Sequence, residues 1–200
     1  MEDTNIQLEP IALEPLREKV VNQLDAFTEF HGAELGKKLW TPHLKDVALI
    51  TAHSINADVA IWISDGENLV PIFNGPKAES LIDEDGKPRH VQPLSAGIIS
   101  TVHATEQTHA ESDVDEAGGQ DKTVDKMLGI KTCSLVAAPL YFGAQLRGVA
   151  SAFRFIDDPS ENPQPRPEPF ADDEIFRFET MTSTIGRLFE EELFARIFLR

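Results

Sequence analysis

Cysteine is nearly absent. Cys133 stands alone in 200 residues, which excludes an intrachain disulfide, a Cys-x-x-Cys redox pair and a thiolate zinc site. Positive charge is scarce too: 18 Lys and Arg face 34 Asp and Glu, a formal charge of −16. Such a chain repels phosphate backbones and anionic headgroups, so nucleic acid and membrane surfaces are poor partners. No apolar run approaches the roughly 20 residues of a membrane span. The opening MEDTNIQLEP lacks the basic and apolar regions of a signal peptide, and a cytoplasmic location is expected. Gly-x-Ser-x-Gly, Gly-x-x-x-x-Gly-Lys and Gly-x-Gly-x-x-Gly are missing, and no histidine stands out as a partner for the cysteine, so the expectation is a protein that is not an enzyme. No internal repeat is visible.

What is present suffices for an ordinary core, with 41% apolar residues and a length that fits one domain with an appendage. Its organising stretch is SLVAAPLYFGAQLRGVASAFRF, Ser134 to Phe155. Two runs rich in Val, Leu and aromatics meet at Gly143-Ala144, which predicts a hairpin with positive φ at Gly143. A two-residue loop pairs Phe142 with Gln145, Pro139 with Gly148 and Ala137 with Ala150. Pro139 has no amide hydrogen, so it requires a bulge or an open side. Both faces are apolar, so the hairpin belongs in the middle of a covered sheet. Small residues at 137, 138, 150 and 152 let a packed helix, or a ligand, come close.

Upstream, Leu16, Val20, Leu24, Phe27 and Leu35 recur at helical steps, and residues 1–40 read as a tail with an amphipathic helix. Thr41-Pro42 starts a second helix, a hydroxyl cap followed by a residue whose missing donor is harmless there. Asn56 suits its left-handed stop. Asp58–Ile63 and Leu69–Phe73 read as a hairpin around Asp65-Gly66, residues 74–93 as loop, Leu94–Ala104 as a short helix and Thr105–Ala110 as a short strand. Residues 111–124 are acidic with two glycines, a composition typical of mobile segments. Prolines at 159, 163, 165, 167 and 169 predict an extended linker. Helix resumes at Asp172, where acids suit the positive end of its dipole. Ile175, Phe178, Met181, Ile185, Leu188, Phe189 and Leu193 share one face, while Phe176, Phe194 and Phe198 fall on another. Half of the twelve phenylalanines lie from Phe170 onward, which calls for a second buried surface. The N-terminal helix covers it, or it is a subunit interface, and the two are compatible because both helices can enter one homodimer bundle.

Four passages and a following Asp resemble the GAF domain family. Asn56-Ala-Asp-Val-Ala-Ile-Trp-Ile63 resembles its first strand. Gly97-Ile-Ile-Ser-Thr-Val102 with His103-Ala-Thr-Glu-Gln107 resembles its glycine-containing helix, turn and short strand, and Asp113-Val114 the Asp that follows. Gly129–Leu140 with Leu146-Arg-Gly-Val149 resembles its hairpin, and Phe170-Ala-Asp-Asp-Glu174 the opening of its last helix. The resemblance covers residue 41 to the end, so residues 41–200 are read as the domain. It implies an α+β fold: a central antiparallel sheet of about six strands, with N- and C-terminal helices on one face and short helices and loops over a pocket on the other. It also implies a small-molecule sensor that signals through dimerisation or a separate partner protein, since no output domain follows here. The alternative is a ligand-free dimerisation or protein-interaction scaffold.

Within that resemblance the candidate ligand contacts are Trp62, Phe73, His103, Thr105, His109 and Asp113. Their alternatives are core aromatics, surface or structural histidines and a turn cap. The cyclic-nucleotide subgroup carries an Asn-Lys-Phe-Asp-Glu signature, and Phe155-Ile156 stands where Asn-Lys is expected. Bilin-binding members attach their chromophore through a pocket cysteine, whereas Cys133 precedes a strand. Free methionine sulfoxide reductases of this fold exchange thiols between cysteines, and a single one has no resolving partner. Asp113-Val-Asp115-Glu-Ala117-Gly118 matches only part of a calcium loop, because position five is Ala and position twelve is Val124; Asp83-Glu-Asp85-Gly86 likewise fails at Lys87. No cofactor or metal is therefore expected.

Overall fold

In the computed structural model, residue 22 and residues 34–78, 81–83, 85, 87–114, 122–143, 145–157 and 165–198 are described. Most of the expected N-terminal amphipathic helix, the calcium-like positions 115–118, Gly86, Ala144, the linker prolines at 159 and 163 and the side chain of Phe198 lie outside them. A short helix α1 covers residues 34–39. Thr41 then caps α2, Pro42–Ser54, its hydroxyl accepting from the Leu44 amide at 3.4 Å. Asn56 reverses the chain with φ 46°. There follow β1 (Asp58–Ser64), β2 (Asn68–Asn74), β3 (Gln92–Pro93), α3 (Ile98–Thr105), β4 (His109–Glu111), α4 (Thr123–Leu128), β5 (Ile130–Phe142), β6 (Gln145–Asp157) and α5 (Asp172–Phe198).

The six strands form one antiparallel sheet in the order β3-β2-β1-β6-β5-β4. The central hairpin is β5–β6, with Phe142 opposite Gln145 and Gly143 at φ 63°. Its register departs from the expected one: Pro139 faces Val149, Leu140 faces Gly148 and Ala138, not Ala137, faces Ala150. A bulge at Leu140/Tyr141 causes the shift, Tyr141 pairing with Leu146 so that Arg147 is the extra residue. β4 ends opposite Ala137, so Pro139 lies past the last pairing on that side.

Each face of the sheet has its own core. On one, α2 and α5 bury Leu44, Ala48, Phe178, Met181, Ile185, Phe189 and Leu193 against Val59, Ile61, Val136, Ala138, Ala150 and Ala152. The three alanines let the helices approach. On the other, Ile99 and Val102 of α3, with Ala78 and Leu81, cover Ala60, Trp62, Ala137, Val149 and Phe153. Three elements differ from expectation. Residues 74–93 contain the two-residue β3, the expected strand from Thr105 begins only at His109 because Thr105 ends α3, and the acidic stretch runs into α4, whose Gly129 stop has φ 64°. Among the described residues no helix is long and apolar enough to cross a membrane.

Candidate functional site

Pairing across the sheet places residues on the α3 face in rows. One row runs Asn74, Ala60, Ser151, Ala137, His109 from β2 to β4. The next holds Trp62 and Val149, and on the opposite side lie Phe153 and Leu135. Because the middle row is built of small residues while its neighbours are bulky, the surface dips at Ala60 and Ser151. The short helices roof this dip and leave a cavity of about 90 Å³, lined mainly by Ala60, Trp62, Ser151, Phe153, Ile99 and Thr132.

Polar groups converge there, and most bond to one another. The Trp62 indole donates to Ser151 Oγ at 3.0 Å. Asp125 of α4 accepts from Thr132 Oγ1 at 2.7 Å and from the Thr132 amide at 3.0 Å, so a buried carboxylate ties the roof to β5. Gln92 Nε2 donates to Ala96 O at 2.6 Å, setting the turn that brings Gly97 and the first turn of α3 to the cavity edge. Ser100 fastens the same helix by donating to Pro93 O at 2.7 Å. Asn74, at the end of the small-residue row, is buried with no hydrogen-bond partner for either amide atom.

Of the residues expected to touch a ligand, Trp62 lines the cavity. Phe73 is on the other face, stacked on Trp40 with ring centroids 4.9 Å apart. A bulge at Ile61/Trp62 pairs Phe73 with Ile61 and thereby turns it toward α5. His103 is half-buried on α3, and that burial lowers its pKa below the ordinary 6.5 against the pull of Glu106. Thr105 is exposed and donates to Thr101 O. His109 is exposed on the edge strand, 3.8 Å from Glu111. Asp113 is held by Arg166 at 2.7 Å, outside the cavity. Sequence reasoning missed Gln92, Asp125, Thr132, Ser151 and Phe153. Ser151 carried a legible signal, a hydroxyl inside an otherwise apolar strand that must find a partner. Among the described residues no group of three or more His, Cys, Asp or Glu is arranged to hold a metal ion.

No family model and no curated protein matches the sequence. Solved structures do match it. The GAF domain of a phosphoenolpyruvate-protein phosphotransferase from Coxiella burnetii superposes with a TM-score of 0.57 at 15% identity, over 90% of this chain and 95% of that one. This chain has the GAF fold. A GAF domain/HD domain protein from Geobacter sulfurreducens gives 0.57 at 12% identity, over 78% of this chain and 93% of the other. A free methionine-R-sulfoxide reductase from Neisseria meningitidis, in complex with its substrate, gives 0.57 at 16%, over 94% and 96%. Identities this low carry the GAF fold alone.

Proposed function

We propose that this GAF domain is a non-enzymatic sensor of a compact small molecule, held between the sheet and α3–α4 in a cytoplasmic setting. The cavity carries the reading: it opens beneath two short helices and joins aromatic walls to converging polar groups. The Asn74 amide, buried and without a bond in the adjoining position, supplies a further donor and acceptor for a ligand or its water. A volume of about 90 Å³ suits something smaller than the ligands of sites of about 300 Å³ and above. Binding rather than turnover fits the bonding pattern, because Ser151 Oγ meets an indole and Asp125 meets a backbone amide and a hydroxyl, with no nucleophile–base pair among these contacts.

The mutual satisfaction of these groups also favours a second reading, a scaffold that stands without ligand. Native mass spectrometry of the purified full chain, followed by thermal-shift screening of small polar metabolites, separates the two. A sensor gives a copurified mass or a ligand-dependent rise in Tm that Ala60→Leu abolishes by filling the cavity. A bare protein mass and no shift across the panel reject the sensor.

A further inference from the structure

Thr132 and Ser151 both bring a hydroxyl to the cavity, and they differ in what their hydrogens do. Thr132 donates its own to Asp125. Ser151 does not. Its oxygen accepts from the Trp62 indole at 3.0 Å, and an indole N–H can only donate, so the Ser151 hydrogen must point elsewhere. Among the described residues no acceptor takes it. Ser151 is 3% exposed and stands between Ala60 and Ala137 in the row of small residues, whose methyls offer it nothing. A buried donor left unmet is costly, and the cavity is the space in which an acceptor can reach this one.

We propose that the cavity selects a short uncharged carbonyl compound, a ketone or aldehyde, whose oxygen accepts the Ser151 hydrogen while its alkyl part takes the apolar walls. This rests on the sensor reading of the same cavity and adds the chemistry of its ligand. The walls decide the charge. Asp125 brings a carboxylate, and among the described residues that line the space there is no Lys, Arg or His. A carboxylate or phosphate entering it sheds water and meets no cation. An ammonium or amidinium is donor-only, so it leaves the Ser151 hydrogen unmet, and Asp125 already accepts twice from Thr132. Trp62, Ile99, Leu135 and Phe153 make the rest of the wall largely apolar, which penalises the N–H groups of an amide. The volume of about 90 Å³ is the share of about three waters in the liquid, so the occupant has few atoms.

Acetone, acetamide, acetate and acetamidinium share one planar shape and differ in charge and hydrogen bonding. Titrated into the full chain and followed by NMR at the Ile99 methyls, acetone gives a saturable shift in the millimolar range or tighter. Acetamide binds about fivefold more weakly, and the two ions do not bind. Xenon under pressure reports the cavity alone, since it needs room and no hydrogen bond. Ser151→Ala combined with Trp62→Phe removes both members of the buried pair, so neither is left unmet. This double variant keeps the xenon shift and loses about fivefold in acetone affinity, and thermal melts confirm that it is folded. Acetate or acetamidinium binding as tightly as acetone overturns the assignment, and so does a folded double variant with unchanged acetone affinity. A xenon shift without an acetone shift overturns the ligand class and leaves the cavity standing. No shift with either probe removes the sensor reading as well.

Discussion

Arg154 ties β6 to the end of α2 and to the start of α5. It is 8% exposed and projects from β6. Its guanidinium donates to the carbonyls of Ile55 and Asn56 after α2 and to those of Glu168 and Pro169 before α5, and it pairs with Glu174 in the first turn of α5. Its flat face lies 4.3 Å from the Phe170 ring centroid. A lysine offers one point charge where this site uses a planar fork. Arg154→Ala leaves a carboxylate and four carbonyls without their donor, so it should cost roughly 3 to 5 kcal/mol in urea unfolding. Asp58 is the second residue of consequence. Its carboxylate accepts from the amides of Val59, Lys77 and Ala78, yet burial outweighs those bonds and the Lys77 charge and raises its pKa above 3.8. A raised pKa means that the folded state prefers the proton, so this contribution is whole below 3.8 and is lost as pH climbs through the raised value. Urea midpoints measured against pH should move in favour of Asp58→Asn over that window and stay level above it.

The longer elements were largely legible in the sequence. Thr41-Pro42 and Asn56 marked the ends of α2 because capping and left-handed turns are local chemistry. The buried face of α5 followed from spacing alone. Faces within the strands were not legible: β1 and β2 are buried on both sides, so alternation vanishes, and each bulge exchanges inside for outside past it. That is why Phe73 was expected, like Trp62, to touch a ligand and is found in the core on the other face. α4 was missed for a different reason. A helix of six residues cannot stand on propensity, and its anchor, the bond from Thr132 to Asp125, joins residues that only the fold places together. Thr132→Val should leave that carboxylate one donor short and cost about 1 kcal/mol. Hydrogen exchange should quicken first in residues 123–132, ahead of α2 and α5.

At the scale of the whole molecule the domain is two unequal cores divided by a sheet, a dense one beneath α2 and α5 and a looser one holding the cavity. The partition itself could be foreseen from a central hairpin apolar on both faces. Which polar groups gather in the looser half could not, because Gln92, Thr132 and Ser151 are far apart in sequence and reach one place only through strand order. The GAF fold was legible from the order and spacing of weak motifs. The depth of its cavity depends on the particular small residues that meet across three strands.

One feature of the strand order bears on how the molecule is made. β6 lies between β1 and β5, so the half containing β1–β3 and the half containing β4–β5 share no ladder except through it. During synthesis both halves leave the ribosome before the strand that welds them. Until then β1 offers a bare apolar border to any neighbouring chain, and the interval between translation of residues 64 and 157 is when a nascent copy is most open to chaperones and to misassembly.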